Sequence, residues 1–320
     1  MNIILKYTLK VLRKIYILMY PNSVSSGRNW KMFSNKEYAN EMLYKYLSND
    51  KPCMIARFGS TEMLCLTNYI GVKQNNTDWN DYIKGKSYNW WWERSTINQM
   101  QNWSGFFPAE RSKIEDFCKL IIKDIPEVDI LGSWLKEEVI FNTSLVNAKR
   151  LVLEDLEPFF TSNPWTRALK GKKVLVVHPF AETIKQQYLK RELLFDNDLL
   201  PEFELMTITA VQSVAGVQTK FKSWFEALDF MKSQIDEIDY DICIIGCGAY
   251  GFPLAAHVKR MGKKSVHLAG ATQLLFGIKG KRWEEFVVWP YTNLFNEHWV
   301  RPGENEKPKN ASVVEDACYW

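Results

Sequence analysis

Short, near-continuous apolar runs alternate with amphipathic stretches along most of this chain. The clearest run is Lys172 to His178 (KKVLVVH), and a helical pattern follows over 181–194. Leu205 to Ala210 is a strand by its β-branched content, with a helix over 221–236 behind it. Asp241 to Gly246 (DICIIG) is another buried strand, followed by a helix over 252–262 and a closing strand from Ser265 to Ala269. Strands that are apolar on both faces, alternating with helices, predict a parallel sheet covered on both sides. A weaker series precedes it. EYANEMLYKYLSN reads as helix, Pro52 to Ala56 as a short strand, and the turn Arg57–Glu62 opens an apolar helix, MLCLTNYIG. Residues 72–112 hold Trp79, Trp90, Trp91, Trp92 and Trp103 and read as helices broken by loops. A helix at 112–123 then precedes the strand VDILGSW, and VNAKRLVLEDLEPFF reads as helix.

The predicted fold class is therefore α/β, with a parallel sheet or sheets flanked by helices in two nucleotide-binding-like halves. The second half, about 172–290, is Rossmann-like in its alternation. Residues 21–35 are polar and read as a linker, which leaves 36–320 as the α/β domain. The tail from Arg301 to Trp320 is polar with an aromatic end.

Residues 1–20 follow a different pattern. On a helix, Asn2, Lys6, Lys10, Arg13 and Lys14 fall within about a third of the circumference, and Ile, Leu, Tyr and Met fill most of the rest. Four interleaved cations argue against both a spanning helix and a signal peptide. The preferred reading is an amphipathic helix on the membrane surface, apolar face in lipid and cations on anionic headgroups. The alternative is a helix docked on the body or on a partner subunit.

Charge sharpens this contrast. Of 41 Lys and Arg, four lie in these first twenty residues, and the remaining 37 balance the 37 Asp and Glu. The body is neutral, so a nucleic-acid-binding surface is not expected. None of the six cysteines forms C-x-x-C or stands at zinc-ligand spacing from a His, which suits a reduced, cytoplasmic compartment. The 13 Trp either line a sugar or base pocket or fill a core rich in large rings.

Ligands of such sheets bind at the carboxyl ends of the strands, and three turns there carry candidate chemistry. Gly246-Cys247-Gly248-Ala249-Tyr250-Gly251 matches G-x-G-x-x-G between a strand and a helix. Its glycines let backbone approach a diphosphate, and the helix N-terminus adds N–H donors. The strand SVHLAG ends without the acid that a dinucleotide's ribose would need, so a nucleotide-sugar diphosphate is preferred over NAD or FAD. A merely tight structural turn is the third reading. At the first turn, Arg57 offers a fork of donors to phosphate and Gly59 permits a tight bend. Ser60 reads as an N-cap, and Glu62 sits in the first helical turn, where the dipole favours an acid anyway. At the third turn, His178 ends the strongest strand and either faces the cleft or is a satisfied core residue. Glu182 follows in a first helical turn. Farther on, Lys279, Lys281, Arg282 and Trp283, then His298, Trp299, Arg301 and Glu304, place cations beside rings. That pattern suits a pyrophosphate and a ring, or a solvated surface turn.

The opening strand–R-F-G-x-x-E–helix, the segment GCGAYGFPLAAHVKRMGKKSVHLAG and the tail from Asn296 resemble bacterial GT-D-type glycosyltransferases of capsule, glycan and glycoprotein assembly. The likeness is strongest over 52–62 and 172–305. It implies a GT-D-type fold and donor contacts from Arg57, Gly59, Ser60, Thr61, Gly246, Gly248, Tyr250, Gly251, Lys281 and Arg282. The family's motif is usually Arg-x-Gly-Asp-x-Glu, whose D-x-E binds a divalent metal, Mn or Mg. Here Ser60 stands in place of the Asp, which leaves Glu62 as the metal carboxylate of the motif.

The resemblance and the residues together predict transfer of a hexose from a nucleoside-diphosphate sugar to a hydroxyl of a lipid-linked glycan. The protein would sit peripherally on the inner face of the cell membrane. Glu62 or His178 would take the acceptor proton, and Glu182, His298, Trp299 and Arg301 would contact acceptor or sugar. Rival readings are an oxidoreductase, another nucleotide-dependent transferase such as a pyruvyltransferase, and a non-catalytic scaffold of a glycan-assembly complex.

Overall fold

Alternating burial along the central strands builds two cores from one sheet. The computed structural model describes residues 2–21, 34–285, 290–308 and 318–320. Its strands are β1 (Cys53–Arg57), β2 (Ile130–Ser133), β3 (Lys149–Val152), β4 (Lys173–His178), β5 (Glu204–Thr209), β6 (Ile242–Ile245) and β7 (Lys264–His267). They form a seven-stranded sheet in the order β3-β2-β1-β7-β6-β4-β5, and every neighbouring pair is parallel. Side chains point to opposite faces in turn. Met54, Ala56, Leu175 and Val177 enter one core, while Cys53, Ile55, Val174 and Val176 enter the other.

The helices are α1 (Ile3–Met19), α2 (Lys36–Ser48), α3 (Ser60–Gln74), α4 (Trp79–Ile83), α5 (Arg94–Asn102), α6 (Arg111–Asp124), α7 (Ala181–Tyr188), α8 (Arg191–Leu194), α9 (Trp224–Asp236), α10 (Gly251–Arg260), α11 (Thr272–Leu275) and α12 (Lys281–Glu285). Helices α3, α6, α9 and α10 cover the first face, and α2, α7, α8 and α11 cover the second. All six cysteines are buried and unbridged.

The two α/β series share one sheet, joined where β1 pairs with β7 from Cys53↔Lys264 to Ile55↔Val266. One expectation needs correction. The run VNAKRLVLEDLEPFF is not a helix. Lys149–Val152 forms an edge strand on β2, and a 3₁₀ turn, Leu153–Leu156, follows it. Only Leu151 of that strand is fully buried. Its backbone is satisfied by pairing with β2, a long-range partner that local periodicity does not reveal.

The chain leaves β4 toward β5 on one side, whereas β6 continues to β7 on the other. A crevice therefore opens between the carboxyl ends of β4 and β6, the switch point where ligands of such sheets bind.

Helix α1 docks with unexpected polarity. Lys6 and Lys10 both pair with Glu93, at 2.9 and 2.8 Å. Arg13 donates to the Ser87 carbonyl at 2.8 Å and lies 4.7 Å from the Tyr82 ring. The cations thus face the body instead of pointing toward headgroups, as a largely buried Glu93 requires a counter-charge. Ile3, Ile4, Tyr7, Val11, Ile15, Leu18 and Met19 are left exposed, and so is Lys14. Among the described residues no helix is long and apolar enough to cross a membrane. Most of the expected linker, 22–33, lies outside the described residues. Beyond it, Asn35 caps α2 and Ser34 donates to Asp155.

Candidate functional site

A cleft of about 490 Å³ lies across the carboxyl ends of β1, β7, β6 and β4. The three turns singled out in the sequence contribute to it. Arg57, Phe58, Gly59, Ser60, Thr61 and Glu62 line one side, the Gly246–Tyr250 turn lines the floor, and His178 with Phe180 lines the far side.

Arg57 is the last residue of β1, and its guanidinium lies 4.8 Å from the Trp134 ring. Trp134 is fixed in turn. Its indole N–H donates to the Phe58 carbonyl at 3.0 Å, and its backbone N–H donates to the buried Glu138 carboxylate at 3.1 Å. Burial lowers the Arg57 pKa, opposed by Tyr319 and Glu62 and reinforced by Arg282. Arginine stays charged through such shifts. Among the described residues its guanidinium makes no hydrogen bond or ion pair. A partly buried cation whose donors are unmet, held over a ring and facing a cleft, is built for an anion.

Gly59 is needed for a reason that the motif alone does not show. A Cβ there would stand 1.7 Å from Oε2 of Glu62. The carboxylate therefore folds back over the backbone of residue 59 into space that only glycine leaves free. Gly59 is also the N-cap of α3, which makes Ser60 the first helical residue and not the cap.

The three glycines of the second turn do different work. Gly246 is enclosed, with a Cβ position 2.6 Å from the Ala269 oxygen and 2.7 Å from His178. Gly251 leaves room for the His267 ring, 2.1 Å from where its Cβ would be. Gly248 has φ +58° and no atom within 4 Å of its Cβ position. It supplies the left-handed bend and keeps the approach open. Tyr250 is buried, stacked on Trp224 at 4.8 Å, and its hydroxyl lies 3.0 Å from Ser213 Oγ. It acts as a rigid wall.

The helix N-termini at this edge are not alike. Among the described residues neither α3 nor α10 has a side-chain cap, but they differ: the α3 N-terminus lines the cleft from Gly59 to Glu62, whereas the first N–H of α10, that of Gly251, donates to the Gly248 carbonyl. In α7 the Glu306 carboxylate fills that role, accepting from the N–H groups of Glu182 and Thr183 at 2.9 and 3.3 Å.

Two buried histidines carry opposite tautomers. Nδ1 of His178 accepts from the Phe180 N–H at 3.0 Å, and burial pushes its pKa down to about 3. The ring is neutral with its proton on Nε2, so it donates from Nε2, and its lone pair on Nδ1 is taken by the Phe180 N–H. That arrangement favours Glu62 over His178 as the acceptor of a proton. His267 lies 3.2 Å from the Ile245 carbonyl through Nδ1, which must carry the proton because a carbonyl only accepts. Burial first, then Arg57, lower its pKa to about 3. Its Nε2 is a bare acceptor.

Other expected residues stand elsewhere. Arg282 lines the cleft and donates to the Tyr319 hydroxyl at 3.0 Å, whereas Lys281 is half-exposed and paired with Glu285 at 3.9 Å. Glu182 is exposed and accepts from Gln186 at 3.0 Å. His298 lies beside Glu297 at 3.6 Å. Trp299 is buried among Phe195 and Phe295, with its indole N–H on the Leu194 carbonyl at 3.0 Å. Arg301 pairs with Glu284 and holds the Trp320 backbone oxygen at 2.8 Å. None of these last four lines the cleft.

Residues not foreseen include His267, Trp134, Gln273, Tyr319 and Trp320. His267 is the last residue of β7, but the sequence extends that strand to Ala269, so the strand-end signal that pointed to His178 fell two residues beyond it. For Trp134 the end of VDILGSW carries the same signal.

The donor set does not fit a divalent metal held by the protein. Hard cations favour several charged oxygens, and the motif here supplies Glu62 with a Ser hydroxyl in place of the second acid. The Arg57 guanidinium is moreover a near electrostatic neighbour of Glu62.

Fold and cleft together describe an α/β protein with a crevice lined by Arg57 and Arg282 at the carboxyl edge of a parallel sheet. Compared with known proteins, the chain matches no protein family, no curated protein and no solved structure.

Proposed function

We propose that this protein is a glycosyltransferase of GT-D type that moves a hexose from a nucleoside-diphosphate sugar to a hydroxyl of a bacterial glycan. The observation that carries the reading is the Arg57 guanidinium, unpaired among the described residues, in one cleft with the α3 N-terminus and the open Gly248 bend. Negative charge grows on the departing diphosphate as the bond from sugar C1 to the phosphate oxygen breaks. Preorganised donors at that oxygen lower the barrier. Arg57, the turn that opens at Gly246 and Arg282 fill this role. As the acceptor oxygen bonds to C1, its proton passes to the Glu62 carboxylate, which is held over Gly59. His178 donates from Nε2 to phosphate or sugar.

The exposed apolar face of α1 supports placement on the inner face of the cell membrane, near a lipid-linked acceptor. Its cations are engaged by the body, so the apolar side chains supply most of the attachment.

The experiment is a panel of nucleoside-diphosphate hexoses incubated with lipid-linked acceptors and read by mass spectrometry. Turnover of one donor, falling at least about tenfold in Glu62→Gln with an unchanged melting curve, is the expected result. Absence of turnover with every donor supports a non-catalytic scaffold instead.

A further inference from the structure

The tripeptide Cys318–Trp320 is far in sequence from the three turns, yet it is built into the cleft wall. Each of its backbone oxygens has a donor. The Arg282 N–H donates to Cys318 O at 2.8 Å, Gln273 Nε2 donates to Tyr319 O at 3.2 Å, and Arg301 Nη1 donates to Trp320 O at 2.8 Å. Two glycines make room for it. A Cβ on Gly270 would lie 2.6 Å from the Tyr319 ring, and one on Gly280 would lie 2.7 Å from the Tyr319 oxygen. Arg282 lies over the Tyr319 ring at 4.6 Å, and the Trp320 ring meets Phe180 edge-on at 6.1 Å. Tyr319 and Trp320 both line the cleft.

This wall also holds unmet polar atoms. Gln273 is almost wholly buried and, among the described residues, its Oε1 has no hydrogen-bond partner. The indole Nε1 of Trp320 is likewise buried without a partner among the described residues. Buried polar atoms without partners are costly and call for an explanation. One is an acceptor and the other a donor, beside two aromatic faces. A heterocyclic base presents the matching set, a flat π-face with both donors and acceptors on its edge. A hexose has hydroxyls but no such face.

We propose that Tyr319, Trp320 and Gln273 form the subsite that recognises the nucleobase of the donor. The inference rests on the diphosphate reading of the cleft. It assigns selectivity to a segment that the glycine motif does not include. Arg301, outside the cleft, acts as a positioning residue through the Trp320 backbone.

Calorimetry with uridine and guanosine diphosphates and with inorganic pyrophosphate tests it. For Trp320→Ala we expect the preferred nucleoside diphosphate to bind at least about tenfold more weakly, within the range for loss of one base–aromatic stack. Pyrophosphate should stay within about twofold of wild type. Trp320→Phe, which keeps a ring, should retain most of the nucleotide affinity and so controls for misfolding. Equal weakening of nucleotide and pyrophosphate, or no weakening of either, overturns the subsite. If wild type binds neither nucleoside diphosphate nor pyrophosphate, the phosphate reading fails first and takes this inference with it.

Discussion

Gly59→Ala separates the role of the Glu62 carboxylate from the stability of the fold. The new methyl group would arrive 1.7 Å from Oε2 and 2.7 Å from Cδ of Glu62, so the carboxylate must leave its place. The obstacle is the far end of a flexible side chain, so moving it costs little. Gly59 has φ −76° and ψ 143°, a conformation open to any residue. Restricting the unfolded chain favours alanine by about 0.4–1 kcal/mol. Net stability should therefore stay within about 1 kcal/mol, near 2 °C in melting temperature for a chain of this size. Turnover should fall at least about tenfold, or ~1.4 kcal/mol in the barrier, because the proton acceptor is displaced. Gly251→Ala is the contrast. There the obstacle is the buried His267 ring, 2.1 Å away, which has nowhere to go. Overpacking of that kind costs about 1–3 kcal/mol, so the melting temperature itself should drop. Differential scanning calorimetry beside a donor-turnover assay reads both variants. Wild-type turnover in Gly59→Ala would refute the reasoning, since the folded-back carboxylate would then have no part in the reaction.

Three further outcomes follow from the same geometry. His178 and His267 are held neutral near pKa 3 against an ordinary 6.5, so the unfolded chain binds more protons between these values. Stability should be complete above about pH 6.5 and fall as the pH drops toward 3, by up to roughly 4 kcal/mol per histidine, and His178→Asn should flatten a urea-denaturation profile over that window. Gly248→Ala should cost about 1–2 kcal/mol in stability through its left-handed backbone and weaken nucleotide binding further, as calorimetry would report; unchanged affinity would make the bend purely structural. In vesicle flotation, Ile4→Asp with Leu18→Asp should release the protein, whereas Lys6→Gln should lower thermal stability and leave flotation nearly intact, because Lys6 pairs with Glu93.

Local pattern was enough for the elements that make the cleft. β4, β6, α9 and α10 announce themselves because continuous apolar runs and helical periodicity are properties of the segment itself. The glycine turn and the Arg57 turn were legible for the same reason, since strand, bend and helix follow one another in sequence. Long-range pairings were not legible. β3 is a strand only because β2 lies beside it, and its four residues carry little periodicity of their own. The joining of the two series through β1 and β7 depends on partners about two hundred residues apart. Side-chain chemistry shows the same division. Arg57 and Glu62 could be named from their turn, but the tautomer of His178 depends on the Phe180 N–H, and the burial of Trp299 depends on α8. The polarity of α1 was reversed because Glu93, remote in sequence, claims two of its cations.

The most direct measurement of the central claim is titration of wild type and Arg57→Gln with nucleoside diphosphates by isothermal calorimetry. The account predicts saturable binding of at least one nucleoside diphosphate to wild type and a loss of about ten- to a hundredfold in the variant, the usual worth of a hydrogen-bonded charge at a phosphate. Equal affinity in both proteins, or no binding to wild type, would contradict it.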